Sequence, residues 1–191
     1  MPKFCYLFVF CCLGLTIPLA ASADQTTDML QGAIADWQSG NAKQALIQAD
    51  KATQNIWQKT PLYIRKFLLT ATKASSYGVY QERADNVYSA AKDTILLYVE
   101  PVGYRITENA QGLYEFGFTS DLAILDTKGN ILVGKENFMA VNFKSHTFNR
   151  EIFLNITVNI GGLPPGDYFL GLRIKDTGGQ STPLRVPITF Q

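Results

Sequence analysis

The spacing of apolar residues changes near position 94, and this change constrains the fold more than any other feature of the chain. Before it, apolar residues recur every three or four positions, as Ala45, Ala49 and Ala52 do, which is typical of one face of an α-helix. After it they alternate with polar residues, as Leu154 and Ile156 do, which is typical of a half-buried strand. The sequence therefore predicts an α+β chain whose helices precede residue 94 and whose strands follow it.

Four helices are predicted between residues 24 and 93. Thr26 or Thr27 can cap the first helix, and residues 39–41, Ser-Gly-Asn, end it before the second begins. Pro61 fits the first turn of the third helix, and Gly78 separates the third from the fourth. Short turns of this kind indicate antiparallel helical hairpins.

The small residues that follow Gly40 resemble the second half of a tetratricopeptide repeat, in which a glycine permits a tight turn and alanines let two helices pack closely. Ala45, Ala49 and Ala52 carry the resemblance. One hairpin later it is echoed by Gly78, Ala84, Tyr88 and Ala91. The resemblance implies a short tetratricopeptide-like bundle over residues 24–93.

Residues 94–191 are predicted to form an antiparallel β-sandwich of seven to eight strands, because short alternating segments are separated by turn residues. The closing hairpin is the clearest part. Leu170 and Leu172 fall on one face of its first strand, and Gly171 and Arg173 fall on the other. Residues 176–179, Asp-Thr-Gly-Gly, form the turn into the last strand.

The last strand contains two prolines at positions of equal parity, Pro183 and Pro187. Proline has no backbone N–H, and donors two residues apart point to the same side of a strand, so both missing donors lie on one side. That side cannot pair normally. The sequence therefore predicts an edge strand, protected by its prolines against the addition of another chain.

Residues 163–168, Leu-Pro-Pro-Gly-Asp-Tyr, resemble the entry to a late strand of immunoglobulin-like and fibronectin-III-like sandwiches. The resemblance implies that Tyr168 forms a hydrogen bond back to the preceding corner. It implies nothing about activity, because such sandwiches carry many functions.

Residues 1–23 have the pattern of a secretory signal. Lys3 precedes a continuous apolar segment, and Ala21 and Ala23 offer a cleavage site of small residues before Asp24. The alternative is an uncleaved anchor, but the apolar segment is short for a membrane span. We expect cleavage between Ala23 and Asp24, no stable membrane insertion afterwards, and a periplasmic or secreted protein.

Composition limits the chemistry and the partners of the mature chain. All three cysteines, Cys5, Cys11 and Cys12, lie in the predicted signal, so no disulfide or catalytic thiolate is expected, and a cysteine-free exported domain fits a bacterial periplasm. Lys and Arg total 17 and Asp and Glu total 16, and losing Lys3 leaves 16 of each. A neutral chain without basic runs gives no electrostatic reason to expect nucleic acid as a partner.

His146 is the only histidine, which makes a histidine-based metal site unexpected. With Ser145, Ser120 or Asp121 it could form a catalytic triad, but no nucleophile-elbow motif accompanies it. Its polar neighbours favour a surface loop. We expect no metal and no cofactor.

Acidic residues offer two further hypotheses. Residues 126–130, Asp-Thr-Lys-Gly-Asn, superficially resemble a calcium loop, but their spacing favours a hairpin turn. A carboxylate-based hydrolase that acts on cell-wall or polysaccharide material needs two facing carboxylates. The sequence does not select a pair among its candidates, which are Glu100, Glu108, Glu115, Asp121 and Glu136.

Aromatic residues are the candidates for binding a partner. Trp37 and Trp57 lie on the two helices of the first hairpin, where an exposed pair could grip an apolar peptide, although their spacing also suits a core. Phe153 lies on the outward face of a strand and could join an aromatic platform for a sugar or a peptide. Core packing, or docking of the helical bundle, explains the same residues more simply. Asn155 begins an N-glycosylation sequon, which matters only in a eukaryotic host.

These observations favour a non-enzymatic exported protein, a helical bundle over residues 24–93 joined to a sandwich over residues 94–191. The combination also resembles exported bacterial proteins, a resemblance that implies no activity. We expect it to bind another envelope protein or a peptide. The alternatives are a carboxylate-based hydrolase, which would need a cleft with two carboxylates where helices meet sheet, and a carbohydrate-binding module, which would need a row of exposed aromatic rings.

Overall fold

The structure is a computed structural model that describes residues 24–89 and 93–191. The predicted signal segment, residues 1–23, lies outside the described residues. Within the described residues there are two helices and nine strands: α1 (Gln25–Gln38), α2 (Ala42–Lys59), β1 (Tyr63–Leu69), β2 (Val87–Tyr88), β3 (Thr94–Val102), β4 (Thr107–Glu108), β5 (Tyr114–Leu125), β6 (Ile131–Ser145), β7 (Leu154–Asn159), β8 (Gly166–Asp176) and β9 (Ser181–Phe190).

The first two predicted helices and the turn between them are confirmed. Gly40 has a φ of 82°, a conformation that glycine adopts without strain. The side-chain oxygen of Asn41 caps α2 by accepting a hydrogen bond from the Gln44 N–H at 3.4 Å. The predicted cap of α1 is wrong, because Asp24 rather than Thr26 or Thr27 occupies that position.

The third and fourth predicted helices are wrong. Residues 63–69 form strand β1, residues 70–86 form a loop, and the part of the fourth segment that the structure describes includes only the short strand β2. The chain is therefore mostly β with one small helical hairpin, and not an α+β protein with four helices. The tetratricopeptide-like resemblance, and the recognition of the chain that included it, are wrong for the same reason.

A β-bulge explains why β1 imitates a helix in the sequence. Ile64 pairs with Pro101 and Lys66 pairs with Glu100, so Arg65 is an extra residue in the ladder. The extra residue moves the apolar side of the strand from Ile64 before the bulge to Phe67 after it. A step of three positions then replaces a step of two, which is the spacing expected of a helix.

The strands form two sheets that pack face to face, in a β-sandwich-like arrangement. The smaller sheet has the order β1-β3-β7, and the larger has the order β2-β9-β8-β5-β4, with β6 also paired to β5. Every pair except β2 with β9 is antiparallel. Position 94, where the domains were predicted to divide, is the first residue of β3.

One apolar core lies between the sheets, and its largest fully buried side chains come from both of them. The closing hairpin contributes as predicted, since Leu170 and Ile174 are fully buried and Leu172 nearly so. From the smaller sheet Ile95, Leu97, Val99 and Ile156 are equally buried.

The helical hairpin is attached to the sandwich through the end of α2. Trp57 is buried, its indole N–H donates a hydrogen bond to the Tyr104 carbonyl at 3.0 Å, and its ring meets the Tyr104 ring edge-on at 5.0 Å. The Gln58 amide donates to the Ile106 carbonyl at 2.7 Å. An ion pair of 2.7 Å between Arg150 and Asp50 adds a contact along the same helix.

The expected edge character of the last strand is confirmed along its proline-containing side. Over residues 183–187 that side of β9 carries no ladder partner among the described residues, and only Thr189 and Phe190 pair with β2. The hydrogen bond expected of Tyr168 is present, because its hydroxyl donates to the Pro164 carbonyl at 2.9 Å.

Replacing Trp57 by Phe should lower the free energy of unfolding by about 2–3 kcal/mol, because the buried Tyr104 carbonyl loses its donor and a small cavity remains. Urea denaturation followed by far-ultraviolet circular dichroism measures this change. The matched control is Trp37→Phe, which should change stability by less than about 0.5 kcal/mol because Trp37 is 70% exposed. Equal effects of the two substitutions would contradict the anchoring role of Trp57.

Candidate functional site

A cleft of about 430 Å³ lies where α2 meets the smaller sheet. Its lining residues are Thr53, Trp57, Arg65, Tyr77, Thr147, Phe148, Asn149, Arg150 and Glu151. Glu151 is the one acidic residue among them, and Arg65 and Arg150 already pair with Glu100 and Asp50. The cleft therefore lacks, among its lining residues, the facing carboxylates that the hydrolase hypothesis requires.

Beside this cleft, Glu100 and Tyr98 form a buried polar pair. The Tyr98 hydroxyl donates to the Glu100 carboxylate at 2.7 Å and accepts a hydrogen bond from the Gly78 N–H at 2.8 Å. The Arg65 guanidinium donates to the other oxygen of Glu100 at 3.0 Å. The Gly78 contact links the loop of residues 70–86 to the outer face of the smaller sheet, so this network holds the loop in place.

The aromatic rings predicted to form a binding platform pack instead against protein. Phe153 is half-buried and stacks on Tyr98 at a ring separation of 5.5 Å. Phe116 is buried and stacks on Phe143 at 5.2 Å. A row of exposed rings, which would support a carbohydrate-binding module, is not formed by these residues.

A second concave surface, here called the sheet groove, crosses the outer face of the larger sheet and has a volume of about 670 Å³. Its floor consists of small residues in direct register on three neighbouring strands: Gly134 on β6, Ala123 on β5 and Gly171 on β8. On the fourth strand the same row continues with Arg185, which pairs with Gly171. The groove therefore runs across the strands, and it ends at a cation.

The two walls of the sheet groove differ in character. On one side, Leu125 pairs with Ile131 and Phe169 to form an apolar row. On the other side, Asp121 pairs with Arg173 to form a charged row. On β5 and β8 each row lies two residues from the floor, so the wall rows are about 13 Å apart on those strands; a register shift places Ile131 three residues from Gly134 on β6.

The charges at the sheet groove are unevenly satisfied. Asp121 accepts hydrogen bonds from Lys175 at 2.8 Å and from the Asn137 N–H at 3.0 Å, and the Lys175 bond is the main reason why the pKa of Asp121 is lowered. Among the described residues, neither Arg173 nor Arg185 forms an ion pair. The Arg185 guanidinium instead lies 3.7 Å from the centre of the Phe169 ring.

Apolar residues continue from the sheet groove onto the first residues of β6. Ile131, Leu132 and Val133 are 67%, 48% and 53% exposed. Val133 pairs with the buried Ile124 and shares its face, yet it is exposed. The smaller sheet therefore does not cover this part of β6.

A third surface, here called the α1 face, consists of Leu30, Ile34 and Trp37. These side chains are 42%, 58% and 70% exposed and recur at the i, i+4, i+7 spacing of one helix face. α1 packs on α2 through a neighbouring face, where Met29 contacts Asn55 and Gly32 approaches Gln48. The α1 face is thus a separate apolar surface beside the hairpin interface.

The structure separates the residues predicted to bind a partner. Trp37 is exposed on the α1 face, Trp57 is buried against the sandwich, and Phe153 packs on Tyr98. The two tryptophans do not form an exposed pair. Of the three residues, Trp37 is the most exposed.

Other sequence candidates lie apart from these surfaces. His146 is exposed, as predicted, while Ser120 is buried and donates a hydrogen bond to the Asp121 carbonyl. The Asp126 carboxylate accepts hydrogen bonds from the Lys128 and Asn130 backbone at 2.9 Å each, which confirms the hairpin turn. The Asn155 side chain of the sequon is bonded in both directions to the Ala74 backbone.

No cluster of three or more histidine, cysteine or acidic residues is arranged to hold a metal ion in residues 24–89 and 93–191. In the same part of the chain, neither helix is long and apolar enough to cross a membrane.

Comparison with known proteins assigns no family. No protein-family model matches the chain, and no curated protein matches it. CopC from Methylosinus trichosporium OB3b is similar at 14% identity and a TM-score of 0.30, over 66% of this chain and 94% of that one. Pseudomonas fluorescens alkylpurine DNA glycosylase AlkC, bound to DNA containing an abasic site analog, is similar at 12% identity and a TM-score of 0.35, over 85% of this chain and 40% of that one. Likenesses this weak support no argument about fold, ligand or partner.

The sheet groove was missed by sequence reasoning, although part of its signal was visible. The alternation in β8 places Phe169, Gly171 and Arg173 on the outward face, as predicted. The alternation does not show that Gly171 and Gly134 are both register partners of Ala123. This depends on how β5 pairs with β6 and with β8. A glycine at an outward strand position was the available signal, because such glycines often mark a close approach by another group.

The Tyr98 phenol should ionise late in an alkaline titration. Burial raises its pKa to about 12; the Gly78 N–H opposes the shift and the Glu100 carboxylate adds to it. Because the folded pKa exceeds the unfolded value of about 10, this contribution to stability is complete below pH 10 and is lost as the pH rises towards 12. Subtracting the tyrosinate absorbance of Tyr98→Phe from that of the wild type, at each pH, isolates the ionisation of the Tyr98 phenol. If this difference had its midpoint near pH 10 while both proteins were still folded, the result would contradict the burial of Tyr98.

Proposed function

We propose that this chain is an exported, non-enzymatic binding or scaffold protein that engages another envelope protein through the α1 face. Export is inferred from the signal pattern of residues 1–23, and the lack of enzymatic activity stays a prediction. The observation that carries the proposal is the exposure of Leu30, Ile34 and Trp37 on one helix.

The pattern of these three residues fits a known mode of recognition. An amphipathic helix binds a hydrophobic groove through side chains at i, i+4 and i+7. Tryptophan is enriched among the residues that dominate such interfaces, because it buries a large apolar area at low entropic cost. Trp37, at the end of α1 and 70% exposed, is therefore the expected anchor.

Charge indicates the chemistry of the partner. α1 contains Asp28 and Asp36 and no lysine or arginine, and Asp24 caps its first turn. Asp28 falls on the side of α1 opposite the α1 face, and Asp24 pairs with Lys59 at 3.0 Å. The net negative charge of the helix, rather than an acidic border, therefore favours a partner whose hydrophobic groove has basic surroundings, since complementary potentials speed association and suppress wrong pairings. We therefore expect a partner protein with such a groove.

The mode of attachment suits a scaffold. α2 is joined to the sandwich through Trp57, Gln58 and Asp50, and α1 packs on the other side of α2. A partner that binds the α1 face is therefore held on a rigid support, which lowers the entropic cost of binding.

Capture from the envelope of the source cells tests this proposal. The tagged protein is used to isolate a partner, which is then purified, and its Kd is measured against three variants. Trp37→Ala should weaken binding by about thirtyfold or more, as expected of an interface anchor, and Ile34→Ala should weaken it less. The matched control is Val79→Ala, another apolar residue that is 55% exposed, and it should bind as the wild type does.

Two results would contradict the proposal. One is repeated capture without any specific partner. The other is a purified partner whose affinity is the same for the wild type and Trp37→Ala, which would place the interface elsewhere on the chain.

A further inference from the structure

We propose that the sheet groove binds an extended peptide segment in which an apolar side chain lies next to an aspartate or glutamate. This inference rests on the proposed role in binding proteins or peptides, but it concerns a different surface. The groove lies on β5, β6, β8 and β9, and the α1 face lies on the helical hairpin.

The dimensions of the groove select an extended chain. Three adjacent strands give a floor about 10 Å long, and the wall rows are about 13 Å apart before their side chains are added. A helix with its side chains is about 10–12 Å across, so it does not reach a floor flanked by Leu125 and Arg173. Leu125 covers the Gly171 end of the floor. An extended segment advances about 3.3 Å per residue, so two or three residues span the open part above Gly134 and Ala123.

The floor and the apolar row define a site for one apolar side chain. Leu125 lies over Gly171, since a Cβ at Gly171 would be 2.9 Å from Leu125 Cδ1. Ile131 borders the other end of the floor, with its Cγ2 3.8 Å from a Cβ built on Gly134. An apolar side chain that enters from solvent would therefore contact Leu125 and Ile131 while its backbone crosses Ala123.

Charge complementarity selects an acidic neighbour for that side chain. Arg173 and Arg185 occupy diagonal positions on β8 and β9, both are exposed, and neither has an ion-pair partner among the described residues. The Phe169 ring supports one face of the Arg185 guanidinium, which leaves the N–H groups at its edge free to bind a carboxylate.

The acidic residues at the groove offset these two cations only in part, since Asp121 lies opposite Arg173 and attracts it without forming a salt bridge. The Asp121 carboxylate is held by Lys175 and by the Asn137 N–H. Glu136 lies at the opposite end of the groove from Arg185, on β6 rather than β9. Lys135 adds a further positive charge to the lining. The groove thus presents a cationic end and an apolar floor to the same ligand.

Fluorescence anisotropy with synthetic peptides tests the proposal. The probe is an end-blocked, fluorescein-labelled peptide of sequence Gly-Glu-Leu-Glu-Leu-Gly, and the comparison is its glutamine counterpart, Gly-Gln-Leu-Gln-Leu-Gly. The acidic peptide should bind the wild type at least about tenfold more tightly, because each carboxylate can form charge-assisted bonds with a guanidinium. Its affinity should fall as salt is added.

Matched variants locate the site. The double variant Arg173→Gln, Arg185→Gln should weaken binding of the acidic peptide by about tenfold or more. Lys43→Gln with Lys51→Gln removes the same charge from α2 and should change nothing. Gly134→Leu should also weaken binding, because it fills the floor where a Cβ meets no atom closer than 3.8 Å. Thermal melts confirm that each variant is folded.

Several results would overturn the proposal. One is equal affinity for the acidic peptide and its glutamine counterpart. Another is unchanged affinity in the double arginine variant, or a loss of affinity in the lysine control as large as in that variant. A third is binding only when the peptide has a free C-terminal carboxylate. Light scattering supplies one more: if the wild type self-associates and Gly134→Leu is monomeric, a second copy of the chain occupies the groove.

Failure of this inference can be distinguished from failure of the proposed function. If the groove variants lose the peptide but still bind the captured partner, and Trp37→Ala does the reverse, both proposals hold. If Trp37→Ala loses the partner while the arginine variant keeps the peptide, the inference fails and the proposed function stands.

Discussion

Strand β3 is buried on both of its faces, and the rest of the structure is arranged around this constraint. Its inward residues, Leu97 and Val99 among them, belong to the core between the sheets. Its outward residues include Tyr98 and Glu100, which are 0% and 6% exposed. Polar groups buried to this extent are stable only when they are hydrogen-bonded. The Gly78 N–H and the Arg65 guanidinium meet that need, so the bulge at Arg65 and the loop of residues 70–86 are required for the burial of β3.

The same constraint explains why the sequence pattern fails where it does. Helical spacing holds in α2, which keeps one face on the sandwich. In residues 61–89 it is imitated by a bulged strand and by a loop whose apolar residues cover a sheet, such as Tyr80, which packs on Tyr98 at 4.6 Å. Tyr77 and Tyr80 are three residues apart, which is a helical interval, so only the enrichment of tyrosine in strands argued against a helix here. The strand pattern succeeds in β8 and β9 because neither has a bulge and each has one buried face.

The candidate surfaces differ in how far a sequence can predict them. Trp37 is identifiable as a helix residue, but its exposure depends on which face of α1 meets α2, and Leu30 and Ile34 suit a core equally well. The sheet groove needs more, because its floor combines residues from β5, β6 and β8. A shift of one residue in the β5–β6 or β5–β8 ladder would place a larger residue beside Ala123 instead of Gly134 or Gly171. The same shift would turn every side chain of the shifted strand to the opposite face of the sheet. Periodicity within one strand does not contain this information.

The α1 face and the sheet groove differ in charge and in shape. One partner is therefore not expected to bind both surfaces interchangeably. The α1 face is convex and apolar, on a helix that contains two aspartates and no lysine or arginine. The sheet groove is concave, ends at Arg185 and has Arg173 in its charged wall. They lie on elements that are linked through Trp57 and its contact with Tyr104. Binding at one surface can therefore proceed without displacing a ligand from the other. If both proposals hold, the chain can bind a partner protein and a peptide at the same time, and that capacity would distinguish a scaffold from a simple ligand-binding module.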